Sequence, residues 1–578
     1  MTATFVRQLP FGATFLGADG TRFRLWAPQQ TKVGVEIDGG PNIAMTPHPD
    51  GWFEAVAECG PGTSYFYRLG TGQAVPDPAS RAQADDVHGP SLVADPTRYQ
   101  WRTPHWQGRP WHETVLYELH VGTYGGFAGV QADLPRLAGL GITAIELMPI
   151  NDFPGSRNWG YDGVLPFASD RSYGTPDQLK ALIDTAHELR LMVFLDVVYN
   201  HFGPDGNYLD SYAPQFFRTD IDTPWGRAID FRRPQVRRFF IENALYWLIE
   251  YRFDGLRFDA VHAIGDLDWL DALADEIRRT VETGRQVHLV LEHDGNEAEH
   301  LRGHFDAQWN DDAHHALHVL LTGEGSGYYS DYASEPARML ARCLSEGFAY
   351  QGEPSPYRGG RPRGTPSADL PPTAFVLFLQ NHDQIGNRPF GDRLATLVDP
   401  EALSAAVALQ LLCPNIPLLF MGEEYMSGTP FQFFTDFHGA LADAVREGRR
   451  REFSSFTAFS SRDIPDPNAI ETFERSRPSP DSGGELHRQL LAMRHEIIIP
   501  RLVGTRAIDA VVLGPAAVLA RWRMGDGAVL AIAINLGLEA CPLSPPRGAR
   551  VFETRQGVVD RGELRARSTA VFLEAAQP

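Results

Sequence analysis

The chain is poor in cysteine: four in 578 residues, at positions 59, 343, 413 and 541, far apart and without CxxC spacing. That speaks against a disulfide framework or a thiolate zinc site and suits a reducing, cytoplasmic setting. Basic residues are a minority, 52 against 73 acidic ones, leaving a formal net charge of −21. Such a surface repels a phosphate backbone and an anionic membrane, so neither nucleic acid nor a membrane is expected as a partner. Long apolar runs are missing as well. The most apolar one, "AVALQLLCPNIPLLFMG" at 406–422, is broken by Pro414 and Pro417, and "MTATFVRQLPFG" has no basic segment leading into an apolar core. No membrane span or signal peptide is expected. No glycine-rich dinucleotide or phosphate-binding loop opens any helix.

What is present is an ordinary globular composition, 43% hydrophobic and 22% charged, enough to build several cores. Residues 1–97 read as a small β-sandwich, because "TRFRLWAPQQTKVGVEID" alternates with period two and sets Phe23 with Leu25, and Val33 with Val35 and Ile37, on shared faces. A stretch rich in Pro and Asp leads from it into residues 98–485, where apolar strands and amphipathic helices alternate. Strands are predicted at 115–122, 144–149, 192–198, 255–260, 287–292, 305–309, 374–380 and 417–422. "TPDQLKALIDTAHEL" opens with Thr175 as N-cap, Pro176 at the first helical position and Gln178 completing a capping box. "PQVRRFFIENALYWLIEY" places Val236, Phe240, Ala244, Trp247 and Tyr251 on one stripe. Eight strand-plus-crossover units point to a (β/α)₈ TIM barrel within an α/β fold. After Leu490 the pattern returns to short strands, with "VLARWRM" and "AVLAIAIN" joined through Gly525-Asp526-Gly527, so residues 486–578 are expected to form a C-terminal β-sandwich domain.

Chemistry on a barrel is built where its strands end. Strand three, in "LMVFLDVVYNHFG", ends in Asp196, Asn200 and His201. Strand four carries Arg257 and Asp259 on the same side, strand five delivers Glu292, and strand seven ends in His382 and Asp383. Three carboxylates from separate strands, with an arginine and two histidines, meet the needs of retaining glycoside hydrolysis. One carboxylate attacks the anomeric carbon, and a second carboxyl group protonates the leaving oxygen and later deprotonates water. Arg257 would keep Asp259 ionised, and Glu292 is expected to hold its proton through burial and neighbouring negative charge.

"DVVYNH", "GLRFDAVH", "LVLEHD" and "LQNHD" resemble, in order, the four motif regions of the α-amylase superfamily. The resemblance implies Asp259 as nucleophile, Glu292 as acid/base and Asp383 as the third carboxylate. It also implies that His201, Arg257 and His382 line the subsite of the attacked sugar, that Tyr161 stacks on it, and that Asp196 and Asn200 are mainly structural. Within the superfamily, "IELMPINDFPGSRNWGYDGV", "QWNDDAHHALHVLLTGE" and "FMGEEY" resemble the maltooligosyltrehalose trehalohydrolase family over essentially the whole chain. Membership would imply hydrolysis of the α-1,4 bond next to a terminal trehalose, a maltooligosyltrehalose substrate, no cofactor, and work in sequence with a maltooligosyltrehalose synthase.

Further candidates for substrate binding are Trp159, His262, Trp309, Asp311 and Asp312. The bland readings are rim aromatics for Trp159 and Tyr161, a packed histidine for His262, and a solvated helix start for the acidic pair. A metal reading of "WNDDAHHALH", with His314 and His318 on one helix face, is the less favoured one. Two rival functions remain: a glycogen-branching transferase using the same covalent intermediate, and a glycan-binding protein that has lost catalysis.

Overall fold

The computed structural model describes residues 3–454, 464–479 and 483–576. At its centre eight parallel strands close into a barrel: β1 (Leu116–Leu119), β2 (Ala144–Leu147), β3 (Met192–Val197), β4 (Gly255–Phe258), β5 (His288–Leu291), β6 (Ala307–Trp309), β7 (Phe375–Phe378) and β8 (Ile416–Phe420). Each strand lies within the corresponding predicted stretch, to within one residue, and β1 pairs with β8 to complete the ring, Leu116 opposite Leu418. All eight are buried throughout, which is why they read as continuous apolar runs. Leu116, Met192, Phe194, Val290, Val376 and Leu418 help fill the barrel's interior. Gly255 is required there, since a β-carbon would sit 2.1 Å from the Phe194 ring.

The crossover helices form as their sequences dictate. Thr175 caps Pro176–Glu188, its hydroxyl accepting from Gln178 N at 3.2 Å while the Gln178 side chain accepts from Thr175 N at 2.8 Å. The predicted stripe of Pro234–Ile249 is turned inward, with Val236, Phe240, Ala244 and Trp247 fully buried.

Ahead of the barrel, a four-stranded sheet (Gly12–Phe15, Thr21–Trp26, Trp52–Ala57, Thr46–His48) and a five-stranded one face each other across Phe23, Leu25, Val33, Val35, Tyr65 and Tyr67. Buried ion pairs dock this unit on the barrel: Arg7 with Glu242 at 2.7 Å and Arg81 with Glu250 at 3.4 Å.

The chain beyond the barrel departs from expectation. Part of the anticipated exit linker, residues 480–482, lies outside the described residues. Glu485–Met493 is a helix, not the start of the last domain, and helical turns continue to Arg501. Leu490, Leu491 and Ile498 face inward, and Arg494 donates to the carbonyls of Leu411, Cys413 and Asn415 at 3.0, 2.8 and 2.6 Å, fastening the segment to the barrel. The C-terminal sheet begins at Arg506. It runs in the order Arg506–Gly514, Ala517–Arg523, Val529–Asn535, Ser568–Glu574, Ala549–Glu553, beside a small three-stranded sheet. The expected hairpin is there, Arg523 opposite Val529.

Candidate active site

The carboxyl-terminal rim of the barrel opens into a cleft of about 470 Å³. Its centre is Arg257, on β4 and 1% exposed. Nη1 donates to Asp196 Oδ2 at 2.6 Å and to Asp259 Oδ1 at 2.9 Å, and Nη2 donates to Glu292 Oε2 at 2.5 Å. Burial works against the guanidinium charge, but these carboxylates outweigh it and hold its proton more tightly than usual. Asn200 Nδ2 donates to Asp259 Oδ2 at 2.8 Å. Glu292 also accepts from Ala260 N at 2.9 Å. Ala260 achieves this in the left-handed region, φ 41°, a strained conformation for a residue with a β-carbon and one that no sequence signal announces.

One end of the cleft is aromatic. The Tyr161 ring lies 5.0 Å from that of His382, nearly parallel, and its hydroxyl donates to Asp196 at 2.5 Å. Gly160 lets the loop turn here: φ is 103° and a β-carbon would fall 2.0 Å from Pro149 O. His382 pairs with the buried Glu118. Burial opposes protonation of His382, yet Glu118 prevails and raises its pKa. Burial has the opposite outcome at His201, lowering its pKa despite the pull of Asp162. Asp383 opens the short helix His382–Gly386 and accepts from Asn387 Nδ2 at 2.5 Å; burial raises its pKa against the pull of His382. Burial likewise pushes Asp196 up to about 7. Asp311 is pushed well above the carboxylate range by burial, then by Glu292 and Asp294.

Of the residues singled out in the sequence, Trp159, Tyr161, His201, Arg257, Asp259, His262, Glu292, Asp311, His382 and Asp383 all line this cleft. Trp309 and Asp312 do not. Trp309, 1% exposed at the end of β6, lies beneath Arg257, whose guanidinium carbon is 4.2 Å from its ring centroid. Asp312 is fully buried and accepts from Asn296, Ala349 N, Tyr332 and Arg363. Both side chains are turned away from the cavity by better partners.

Sequence reading missed the cleft's outer walls. Trp225, 47% exposed, stands on the hairpin Phe217–Thr223/Gly226–Ile229 with its ring 5.4 Å from His201. Tyr357, Arg358 and Arg363 come from a second excursion, around the two-residue strands Pro354–Ser355 and Arg361–Pro362. An exposed tryptophan in a polar hairpin was the one available signal.

His318 is engaged with Glu324 at 2.8 Å and Asp312 as above, which dissolves the ligand set imagined around His314. Among the described residues His293, Glu297 and His300 bring potential ligand atoms within 4.8 Å of one another. However, His293 Nδ1 accepts the Gly295 N–H at 2.9 Å, so the neutral ring carries its proton on Nε2, the atom a metal would need.

Comparison with known proteins places the chain among relatives. Residues 113–220 match the model of the alpha amylase catalytic domain, and residues 505–573 match a domain of unknown function. A malto-oligosyltrehalose trehalohydrolase of Deinococcus radiodurans is 43% identical over 500 residues, covering 84% of this chain and 83% of the relative. A crystal structure reported as an alpha amylase-type protein from Salmonella typhimurium superposes with a TM-score of 0.93 at 45% identity, covering 98% of this chain and 100% of the other. A 1,4-alpha-glucan branching enzyme of Photobacterium profundum is 34% identical, but over only 43% of this chain and 39% of its own. Among the described residues no helix is long and apolar enough to cross a membrane.

Proposed function

Because this chain belongs to the malto-oligosyltrehalose trehalohydrolases, a family of α-amylase-type glycoside hydrolases, we propose that it releases trehalose from maltooligosyltrehalose. It does so by cutting the adjoining α-1,4-glucosidic bond with retention of configuration. The observation that carries this reading is the shared guanidinium: Arg257 reaches both Asp259 and Glu292. One planar group that grips both carboxylates brings them to the same point of the cleft, which supports a retaining arrangement of nucleophile and acid/base.

In this reading Asp259 attacks the anomeric carbon while Glu292 protonates the departing oxygen of the trehalose. Glu292 then takes a proton from water, which releases the maltooligosaccharide from Asp259. Arg257 and Asn200 aim the nucleophile, each donating to one oxygen of its carboxylate. Asp383 and His382 bind hydroxyls of the ring being attacked, with Tyr161 stacked against its face. Proton transfer, attack and charge stabilisation are all supplied by side chains, so no cofactor takes part. The substrate's non-reducing trehalose end has to be made by an enzyme that rearranges the reducing end of a maltooligosaccharide, and we place this protein directly after such a synthase.

The test is product analysis. Maltotriosyltrehalose should give trehalose and maltotriose, the latter initially as the α anomer, and maltopentaose should be cut far more slowly. Equal rates on the two substrates would remove the trehalohydrolase reading. Branched products from amylose would instead favour glucan transfer.

A further inference from the structure

Three acidic residues point into the barrel just below its carboxyl-terminal rim. Leu116 on β1, Ala144 on β2, and Met192 and Phe194 on β3 belong to the interior cluster. Side chains two residues apart on a strand face the same way, so Glu118, Glu146 and Asp196 turn inward as well. The register sets Glu146 opposite Glu118 on one side and opposite Phe194 on the other, one inward step before Asp196. All three acids are 1% exposed or less.

Their partners differ. Glu118 accepts from His382 N at 3.1 Å on Oε2 and pairs with the imidazole through Oε1. Asp196 takes its hydrogen bonds on Oδ2, from Arg257 Nη1 at 2.6 Å and the Tyr161 hydroxyl at 2.5 Å, and among the described residues no donor reaches Oδ1. Glu146 has no donor on either oxygen. A buried carboxylate without a donor is costly, and a carboxyl group avoids that cost by keeping its proton. Burial, then the charges of Glu118 and Asp196, hold the Glu146 proton well above the ordinary carboxylate range, against the pull of Arg257. The neutral group then has an O–H to give. β2 thus carries a buried donor without an acceptor, and the neighbouring strand a buried acceptor, Asp196 Oδ1, without a donor.

We propose that Glu146 is a positioning residue of the site: as a neutral acid it donates to Asp196 Oδ1, directly or through one buried water, and so keeps Asp196 ionised in its grip on Arg257 and Tyr161. Its consequence for turnover rests on the glycosidase reading above. Arg257 Nη1 is shared between Asp196 and Asp259, so a protonated Asp196 would loosen the guanidinium that aims the nucleophile. Burial pushes Asp196 up to about 7 despite Arg257, and a hydrogen bond donated to its ionised form works in the opposite direction. Without the Glu146 donor, Asp196 takes up its proton at higher pH, and activity fails earlier on the acid side. The other charged or titratable groups around this pair are Glu118 on β1, Tyr161 after β2, Arg257 and Asp259 on β4 and its end, Glu292 after β5 and His382 after β7. All of them stay in place when Glu146 is replaced.

Two readouts test this. Infrared difference spectroscopy at neutral pH should show, in the wild type, the carbonyl stretch of a protonated carboxylic acid that is missing from Glu146→Gln. The pH profile of kcat/KM on maltotriosyltrehalose is the second. Glu146→Leu, with no proton to donate, should move the acid limb up by about one pH unit. Glu146→Gln keeps a neutral donor and should return the limb to its wild-type position. Loss of a carboxylate band instead of an acid band in Glu146→Gln would overturn the proposal. So would a folded leucine variant that is slower at every pH with its acid limb unmoved, or a glutamine variant whose limb moves as far as that of leucine. Should the leucine variant fail to fold, the infrared comparison and the glutamine profile decide. A wild type inactive on maltotriosyltrehalose would remove the trehalohydrolase reading alone, because the infrared comparison needs no substrate and still judges Glu146.

Discussion

Trp309 lies flat under Arg257, with 4.2 Å between its ring centroid and the guanidinium carbon. The ring fills the top of the barrel's interior and faces the cation that joins Asp196, Asp259 and Glu292. Trp309 itself is not part of the cleft's lining.

Trp309→Phe should therefore lower kcat several-fold, through a weaker cation–π contact, and leave KM nearly unchanged. Steady-state kinetics on maltotriosyltrehalose decides the matter: a tenfold rise in KM at constant kcat would mean the ring touches substrate after all.

Asp259→Asn, at the proposed nucleophile, keeps the shape of the side chain and replaces the carboxylate by an amide. Turnover should fall at least roughly a thousandfold while substrate binding, measured by calorimetry, persists. A folded variant with near-normal turnover would refute the assignment.

Glu292→Gln removes the proposed proton donor, which matters only when the leaving group needs a proton. The variant should be severely slowed on maltotriosyltrehalose yet still release a rapid burst of fluoride from an α-maltosyl fluoride, followed by slow turnover because no base activates water. If both substrates fall together with no burst, Glu292 is not the acid.

Asp77 offers a pH signature away from the cleft. It is fully buried, accepts from Tyr65 Oη at 2.7 Å and Ala79 N at 2.8 Å, and burial pushes it up to about 6. The folded state thus binds this proton more tightly than the unfolded chain. The group's contribution to stability is fully present below about pH 4 and is lost as pH rises through about 6. The thermal midpoint of the wild type should fall relative to Asp77→Asn between pH 4 and 6 and run parallel to it above pH 7. A pH-independent difference between the two would contradict the shift.

The barrel was legible because a strand covered on both faces is an unbroken apolar run, and because carboxylates at the ends of such runs, Asp259 and Glu292 above all, have no packing reason to be there. Other features hid behind the same logic. Trp309 and Asp312 carry the same signal as a rim contact, and only their partners, Arg257 below the rim and Arg363 behind it, show that they are supports. "EIIIP" at 496–500 has the β-branched character of a strand, but it follows Arg494, whose guanidinium is committed to three barrel carbonyls, and tertiary contact overrides local preference. The wall of Tyr357 and Arg358 depends on pairs such as Arg358 with Asp294, 64 residues apart, which no local pattern encodes.

The strand Ser568–Glu574 sits inside its sheet, between Val529–Asn535 and Ala549–Glu553, and its Thr569 Oγ1 donates to Ala405 O on the helix ahead of β8. On the ribosome the barrel strands all emerge well before it. Until residues 568–574 follow, the sheet has a gap between Val529–Asn535 and Ala549–Glu553, each left with an unpaired edge, and the face of that helix met by Thr569 is uncovered. The nascent chain must cross an interval in which a complete set of barrel strands coexists with a surface prone to pairing with a neighbour, so codon-level pausing late in the message would cost more in aggregation than pausing early.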